Sequence, residues 1–133
     1  MSYMLAKTLG KSSYLIAAAL LASLLRPAMS QASELLMLER DGCVWCARWN
    51  RDVGPVYGKT AEAKVLPLHR INIDQQTTAG IIFAAPVRYT PTFVVVDNGR
   101  EIGRITGYIS DDTFWELLDA LAAKLEPAPE SKT

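Results

Sequence analysis

The sequence predicts an α/β domain: a central mixed β-sheet flanked by helices, with a Cys-x-x-Cys pair at the N-terminus of the first helix. Three observations carry this reading. Residues 34–40 (ELLMLER) form an apolar run bounded by charge, suited to a strand buried on both faces. Asp41-Gly42 then turns the chain into Cys43-Val44-Trp45-Cys46, which holds the only two cysteines present. Further on, the β-branched run at 93–96 meets Asn98-Gly99, the strongest two-residue hairpin signal, so an antiparallel pair follows two strands joined by helices.

Taken in order, residues 1–11 carry Lys7 and Lys11 and no acid, residues 12–25 are uncharged and mainly apolar, and Arg26-Pro27 breaks the run. Ala28-Met29-Ser30 and Ser30-Gln31-Ala32 each place small residues where signal peptidase reads them. Residues 1–32 therefore read as a secretory signal peptide cleaved after Ser30 or Ala32. The apolar core falls short of the ~20 residues of a bilayer span. An uncleaved anchor is the alternative. Cleavage would leave an exported, periplasmic domain at 33–126 with no stable membrane insertion, and a disordered tail at 127–133.

Within the domain, a helix over 43–53 puts Cys46, Trp49, Asn50 and Val53 on one face and turns Arg48, Arg51 and Asp52 away. Trp49 reads as core. Trp45, between the cysteines, reads as the lip of a site or as simple packing. Gly54-Pro55 ends that helix, and residues 56–64 read as a helical continuation. Residues 65–74 contain the second strand, and residues 77–85 read as a short helix closed by Pro86. Residues 101–106 pair back on the 93–96 strand. Ser110 caps a last helix with Asp111 and Asp112 in its first turn; its apolar stripe is Phe114, Leu117, Leu118, Leu121 and Leu125. The order is β-α-(α)-β-α-β-β-α.

Charge excludes some partners. From Ser33 onward 14 acidic residues face 11 basic ones, with no basic stripe, so no nucleic-acid surface is expected. A structural zinc site wants four ligands, and beyond the cysteines the domain offers only His69, which reads as a solvent-edge side chain; no metal is expected. In an oxidising compartment a close cysteine pair is oxidised unless something reduces it. At a helix start, unpaired N–H groups and the macrodipole favour a thiolate at Cys43, and Cys46 lies one turn along to resolve what Cys43 attacks. A purely structural disulfide, half of a zinc site and two core cysteines are the competing readings. No cofactor is expected beyond the redox-active disulfide itself.

Over roughly residues 34–125 the chain resembles the thioredoxin superfamily. The resemblance rests on the strand leading into Cys43-Val44-Trp45-Cys46, on Arg70-Ile71-Asn72-Ile73-Asp74, on Tyr89-Thr90-Pro91-Thr92-Phe93, on the Asn98-Gly99 hairpin and on Gly107 before the last helix. Residues 46–51, 90–93 and 107–115 are similar, more narrowly, to small periplasmic thioredoxins of bacterial sulfur oxidation. The resemblance implies a thiol:disulfide oxidoreductase acting on a protein thiol or disulfide, in the reducing direction and fed by a membrane electron donor. It implies that Thr90-Pro91 is a cis-proline turn against the cysteines, where with Trp45 it would bind a substrate strand. The family's buried aspartate and its lysine partner are replaced by Met37 and Arg70, which leaves Glu39, on the same side of the strand as Met37, as the candidate for proton transfer. A low-turnover redox-sensing module and a disulfide-introducing oxidant are the alternative functions.

Overall fold

The computed structural model describes residues 33–125; the signal peptide and the tail expected from the sequence lie outside the described residues. Strand β1 (Glu34–Glu39) runs into helix α1 (Val44–Asp52), followed by two short helices, α2 (Gly54–Tyr57) and α3 (Ala61–Val65). Then come β2 (Leu68–Asn72), β3 (Thr92–Asp97), β4 (Arg100–Thr106) and α4 (Asp111–Ala122). The sheet order is β2-β1-β3-β4, with β1 parallel to β2 and antiparallel to β3, and β3 antiparallel to β4. This is the mixed sheet flanked by helices that the sequence predicts.

Alternation along the central strands divides the core into two layers. Leu35, Met37, Phe93 and Val95 face α1 and α4 and join Cys46, Trp49, Phe114 and Leu118. Leu36, Leu38, Val94 and Val96 face the other way. Both central strands are thus apolar on both sides, which accounts for their unbroken hydrophobic runs. The first layer is aromatic at its centre: Trp49 lies 5.3 Å from Phe93 and 5.6 Å from Phe114, and Phe93 meets Phe114 at 4.9 Å in an edge-on arrangement.

Three expectations need correction. Residues 56–64 are not one helix: the chain turns at residues 58–60, and Thr60 opens α3 by accepting a hydrogen bond from the Ala63 amide through its side-chain oxygen. No helix forms over 77–85. Gly80 sits at φ +91°, outside the helical region, and Thr77 Oγ1 accepts from the Ala79 amide in a local turn. Ile81 and Phe83 pack on the second core layer while Ile82 between them faces outward, the period of an extended chain. Ile82 pairs with β4 instead, donating to Gly99 O at 2.8 Å and accepting from the Glu101 amide at 3.0 Å. On α4, Leu117 is exposed, whereas Phe114, Leu118 and Leu121 are buried and Leu125 packs at the edge. Trp115 packs against the core as well, its ring stacked at 5.8 Å on Tyr57.

The covering segment is pinned by one ion pair. Arg104 Nη2 donates to Glu101 Oε2 at 2.6 Å and to Ala85 O at 2.7 Å, and Glu101 Oε2 also accepts from the Ala84 amide at 2.8 Å. The Glu101 side chain is almost fully buried, and the Arg104 hydrogen bonds hold its carboxyl below the usual carboxylate range against the opposing effect of burial. A carboxyl lowered in the folded state contributes stability above its unfolded pKa, and the contribution is lost as pH falls through the folded value. Glu101→Gln is therefore expected to cost about 2–3 kcal/mol at pH 7, because it leaves Arg104 without its counter-charge. The gap between variant and wild type should begin to narrow as pH falls below the ordinary glutamate value of about 4.3 and close only as the lowered carboxyl takes up its proton. Urea denaturation at pH 7 and over an acid pH series checks both statements; equal stability at pH 7 would contradict them.

Candidate active site

Three chain segments meet at one end of the sheet. Leu38 of β1 lies beside Thr92 of β3, which lies beside Thr106 of β4, so the end of β1, the start of β3 and the end of β4 share that edge. The turn after β1, the Thr90-Pro91 segment before β3 and the loop after β4 all rise from it. The Thr90–Pro91 peptide bond is cis, and Pro91 O accepts a 2.7 Å hydrogen bond from the Gly107 amide. Thr92 Oγ1 donates to Tyr89 O at 2.6 Å and closes the proline turn.

The cysteine turn is anchored from the side. Asp41 accepts hydrogen bonds from Asn72 Nδ2 at 3.0 Å and Gln75 Nε2 at 2.9 Å, and Arg40 reaches Asp74 at 3.0 Å. Cys43 is the N-cap of α1, and its Sγ accepts a 3.1 Å hydrogen bond from the Cys46 amide. The two cysteines form a disulfide. Cys43 is partly exposed, whereas Cys46 is only 3 % exposed and belongs to the first core layer. One cysteine is thus partly open to solvent at a helix start while the other is buried one turn behind it. No acidic residue lies in the first turn of α1 to oppose a thiolate there.

An open cleft of about 370 Å³ adjoins the cysteines, lined by Glu39, Arg40, Gly42, Val44, Ala47 and Asn50 together with the pair itself. A hollow of about 460 Å³ at the opposite end of the sheet, bordered by Ser33, Pro67 and Ile81, contains neither cysteine. Met37 is fully buried, and Arg70 lies beside it on β2. Arg70 does not engage Met37: its Nε donates to Glu39 Oε1 at 3.0 Å, and its Nη2 donates to Glu39 Oε2 and to Asn50 Oδ1, the latter at 2.7 Å. The acid of this site therefore sits two residues further along β1 than the family pattern has it, at the rim of the cleft.

Of the residues singled out from sequence, Cys43, Cys46 and Glu39 share the cleft; Trp45 is 51 % exposed on the outer side of α1, and Thr90-Pro91 lies on the adjoining turn. His69 lies on β2, exposed, 3.6 Å from Glu34. Local sequence does not single out Asn50, the partner of Arg70, or Tyr89 and Ile109, exposed to 68 % and 73 % on the flanking loops. Tyr89 could have been found as a large side chain directly before Thr-Pro. Two tyrosines are held neutral: burial, with Asp52 beside it, pushes Tyr108 up to about 12, and burial raises Tyr57 further. Neither supplies a proton near neutral pH.

A mixed four-stranded sheet with a disulfide-forming Cys-x-x-Cys pair capping the first helix defines a thioredoxin-fold protein. The chain belongs to the thioredoxin-like family, whose model, described as a thioredoxin-like domain, matches residues 29–122. Among solved structures it is similar to the periplasmic thioredoxin SoxS from Paracoccus pantotrophus in its reduced form. The two are 38 % identical over 71 % of this chain and 99 % of that one, with a TM-score of 0.67. It also shares its fold with Trxlp from Edwardsiella tarda (24 % identity, 76 % and 91 % covered, TM-score 0.53). The thioredoxin of Malassezia sympodialis shares it too (19 % identity, 70 % and 77 % covered, TM-score 0.52). No curated protein matches the chain significantly. With its disulfide-forming cysteine pair, the chain is a thiol-disulfide oxidoreductase.

Proposed function

We propose that this protein is an exported, periplasmic reductase of a specific partner protein's disulfide, serving sulfur-oxidation metabolism and recharged by a membrane electron donor. The similarity to a periplasmic thioredoxin supports the compartment, and the metabolic setting follows from the resemblance of residues 46–51, 90–93 and 107–115 to small thioredoxins of sulfur oxidation. In the reduced protein the Cys43 thiolate attacks one sulfur of the partner's disulfide. An S–S bond forms between Cys43 and the partner, and the partner's second sulfur leaves as a thiolate and takes up a proton. Cys46 then loses its proton, attacks Cys43 Sγ and displaces the partner's remaining thiolate, leaving the Cys43–Cys46 disulfide and two electrons on the partner. Glu39, on the wall of the same cleft, is the acceptor for the Cys46 proton. Trp45, Thr90 and Pro91 bind the partner, whose extended segment pairs with the backbone at Thr90.

The observation that carries this reading is the asymmetry of the pair: Cys43 caps the helix through Sγ and is partly exposed, while Cys46 is buried behind it. A redox-sensing module with low turnover is favoured by one feature, the fully buried Met37 in place of an acid. Equilibration of the purified protein with glutathione or dithiothreitol gives the potential of the pair, and turnover on a protein disulfide separates the two readings. A potential near about −270 mV with sustained turnover is expected; a value near about −120 mV would replace the reductase by a disulfide-introducing oxidant.

A further inference from the structure

The outer side of α1 carries a chain of polar contacts that the disulfide chemistry leaves unused. The Arg48 guanidinium carbon lies 5.7 Å from the centre of the Trp45 ring, within the range in which a cation is drawn to an indole face. Arg48 Nε lies 3.7 Å from Asp52 Oδ2, one helical turn along. The same carboxylate oxygen accepts a 3.2 Å hydrogen bond from the Tyr108 hydroxyl. Tyr108 is buried and its ring meets Phe114 edge-on at 6.5 Å, so the hydroxyl is a fixed anchor. One carboxylate thus ties the outer side of α1 to the loop leaving β4. Both elements carry exposed apolar groups: Val44 and Trp45 on α1, Ile109 on the loop.

Exposed ion pairs of this kind add little to stability. Their effect on recognition is larger. An indole half open to solvent must give up rotamer freedom when a partner lands on it, and ordering one such side chain costs several-fold in affinity. A ring already held by a guanidinium, itself held by an anchored carboxylate, has given up that freedom beforehand.

We propose that Asp52 is a positioning residue for recognition of protein substrates. Through Arg48 it fixes the Trp45 ring, and through Tyr108 it fixes the loop at residues 107–109, so the two walls present a preformed slot for the extended segment around a partner's disulfide. A small disulfide, which touches only the cysteines, gains nothing from that slot. The inference rests on the oxidoreductase reading and adds to it the residues that favour a protein disulfide over a small one.

The test compares kcat/KM for insulin, as the protein disulfide, with kcat/KM for bis(2-hydroxyethyl) disulfide. The ratio of the two cancels any inactive fraction in a preparation. Asp52→Asn is expected to lower the ratio about five- to tenfold, through KM for insulin, with the potential of the cysteine pair unmoved. Arg48→Met is expected to lower it in the same direction, and the double variant no further than the larger single effect, as for residues acting in one chain. Tyr108→Phe, which keeps the ring and removes only the anchor, is expected to lower it as well. If Asp52→Asn and Arg48→Met move the ratio in opposite directions, the rim acts through its charge on the substrate and the inference falls. Unchanged ratios in all three variants overturn it too. Wild-type protein inactive on both disulfides would remove the oxidoreductase reading itself, a different failure from normal wild-type activity with unchanged ratios.

Discussion

Cys43→Ser is expected to abolish disulfide reduction, by at least about 10³-fold, whereas Cys46→Ser is expected to arrest the reaction halfway. The attacking sulfur must be both reachable and charged, and only Cys43 is at the helix start and accessible. Cys46 acts from inside the core, one turn away, where its attack on the mixed disulfide is intramolecular. Such steps gain effective concentrations of roughly 10⁵ M or more over free thiols, so an external thiol cannot replace it at ordinary concentrations. Reduced Cys46→Ser protein mixed with a protein disulfide should accumulate an adduct of summed mass that dithiothreitol releases. Intact-mass spectrometry reads this directly. An adduct on Cys46 in the Cys43→Ser protein, formed as fast as the other, would reverse the roles.

Trp49→Ala carries the largest expected loss of stability, about 3–5 kcal/mol. Trp49 is fully buried and touches Phe93 from β3, Phe114 from α4 and Tyr57 from α2, so it joins three elements to the helix that carries the cysteines. For a domain of ~100 residues each kcal/mol lowers Tm by about 4–8 °C, which puts the fall above 10 °C. Trp49→Phe keeps most of the apolar surface and should cost less than half as much. It loses no hydrogen bond either, because the indole Nε1 is buried without an acceptor among the described residues. Guanidinium denaturation of both variants measures the difference; a loss below about 1 kcal/mol for the alanine would show that the cluster closes around the gap.

Some of this architecture could be read from residue order and some could not, for physical reasons. β1 and β3 are apolar on both faces and bounded by charge, so length and composition located them. Asn98-Gly99 located the hairpin because both residues must take positive φ, and here they lie at 50° and 75°. Ser110 located α4 because its hydroxyl accepts from the Thr113 amide. Residues 77–85 misled because Thr, Ala and Gly dominate them, and the alternation of Ile81, Ile82 and Phe83 is too short to outweigh a helical reading. Trp115 and Leu117 exchanged roles because the stacking partner of Trp115, Tyr57, belongs to α2, far away in sequence. At the site, period-two alternation placed Glu39 on the correct side of β1. Its bond to Arg70, and the bond from Arg70 to Asn50, depend on the register of β2 against β1, which no local pattern encodes.

The segment at residues 77–85 also protects the molecule from its own copies. A sheet ending in free strands invites another chain to extend it, the first step toward fibrous aggregates. On the β4 side, Ile82 already occupies backbone groups of Gly99 and Glu101, so an incoming strand finds that part of the border taken. On the other side β2 is five residues long and turns His69 and Arg70 outward, a short and charged template. The extended chain around Ile82 thus serves as a guard rail, and removing it would be felt in solubility before it was felt in chemistry.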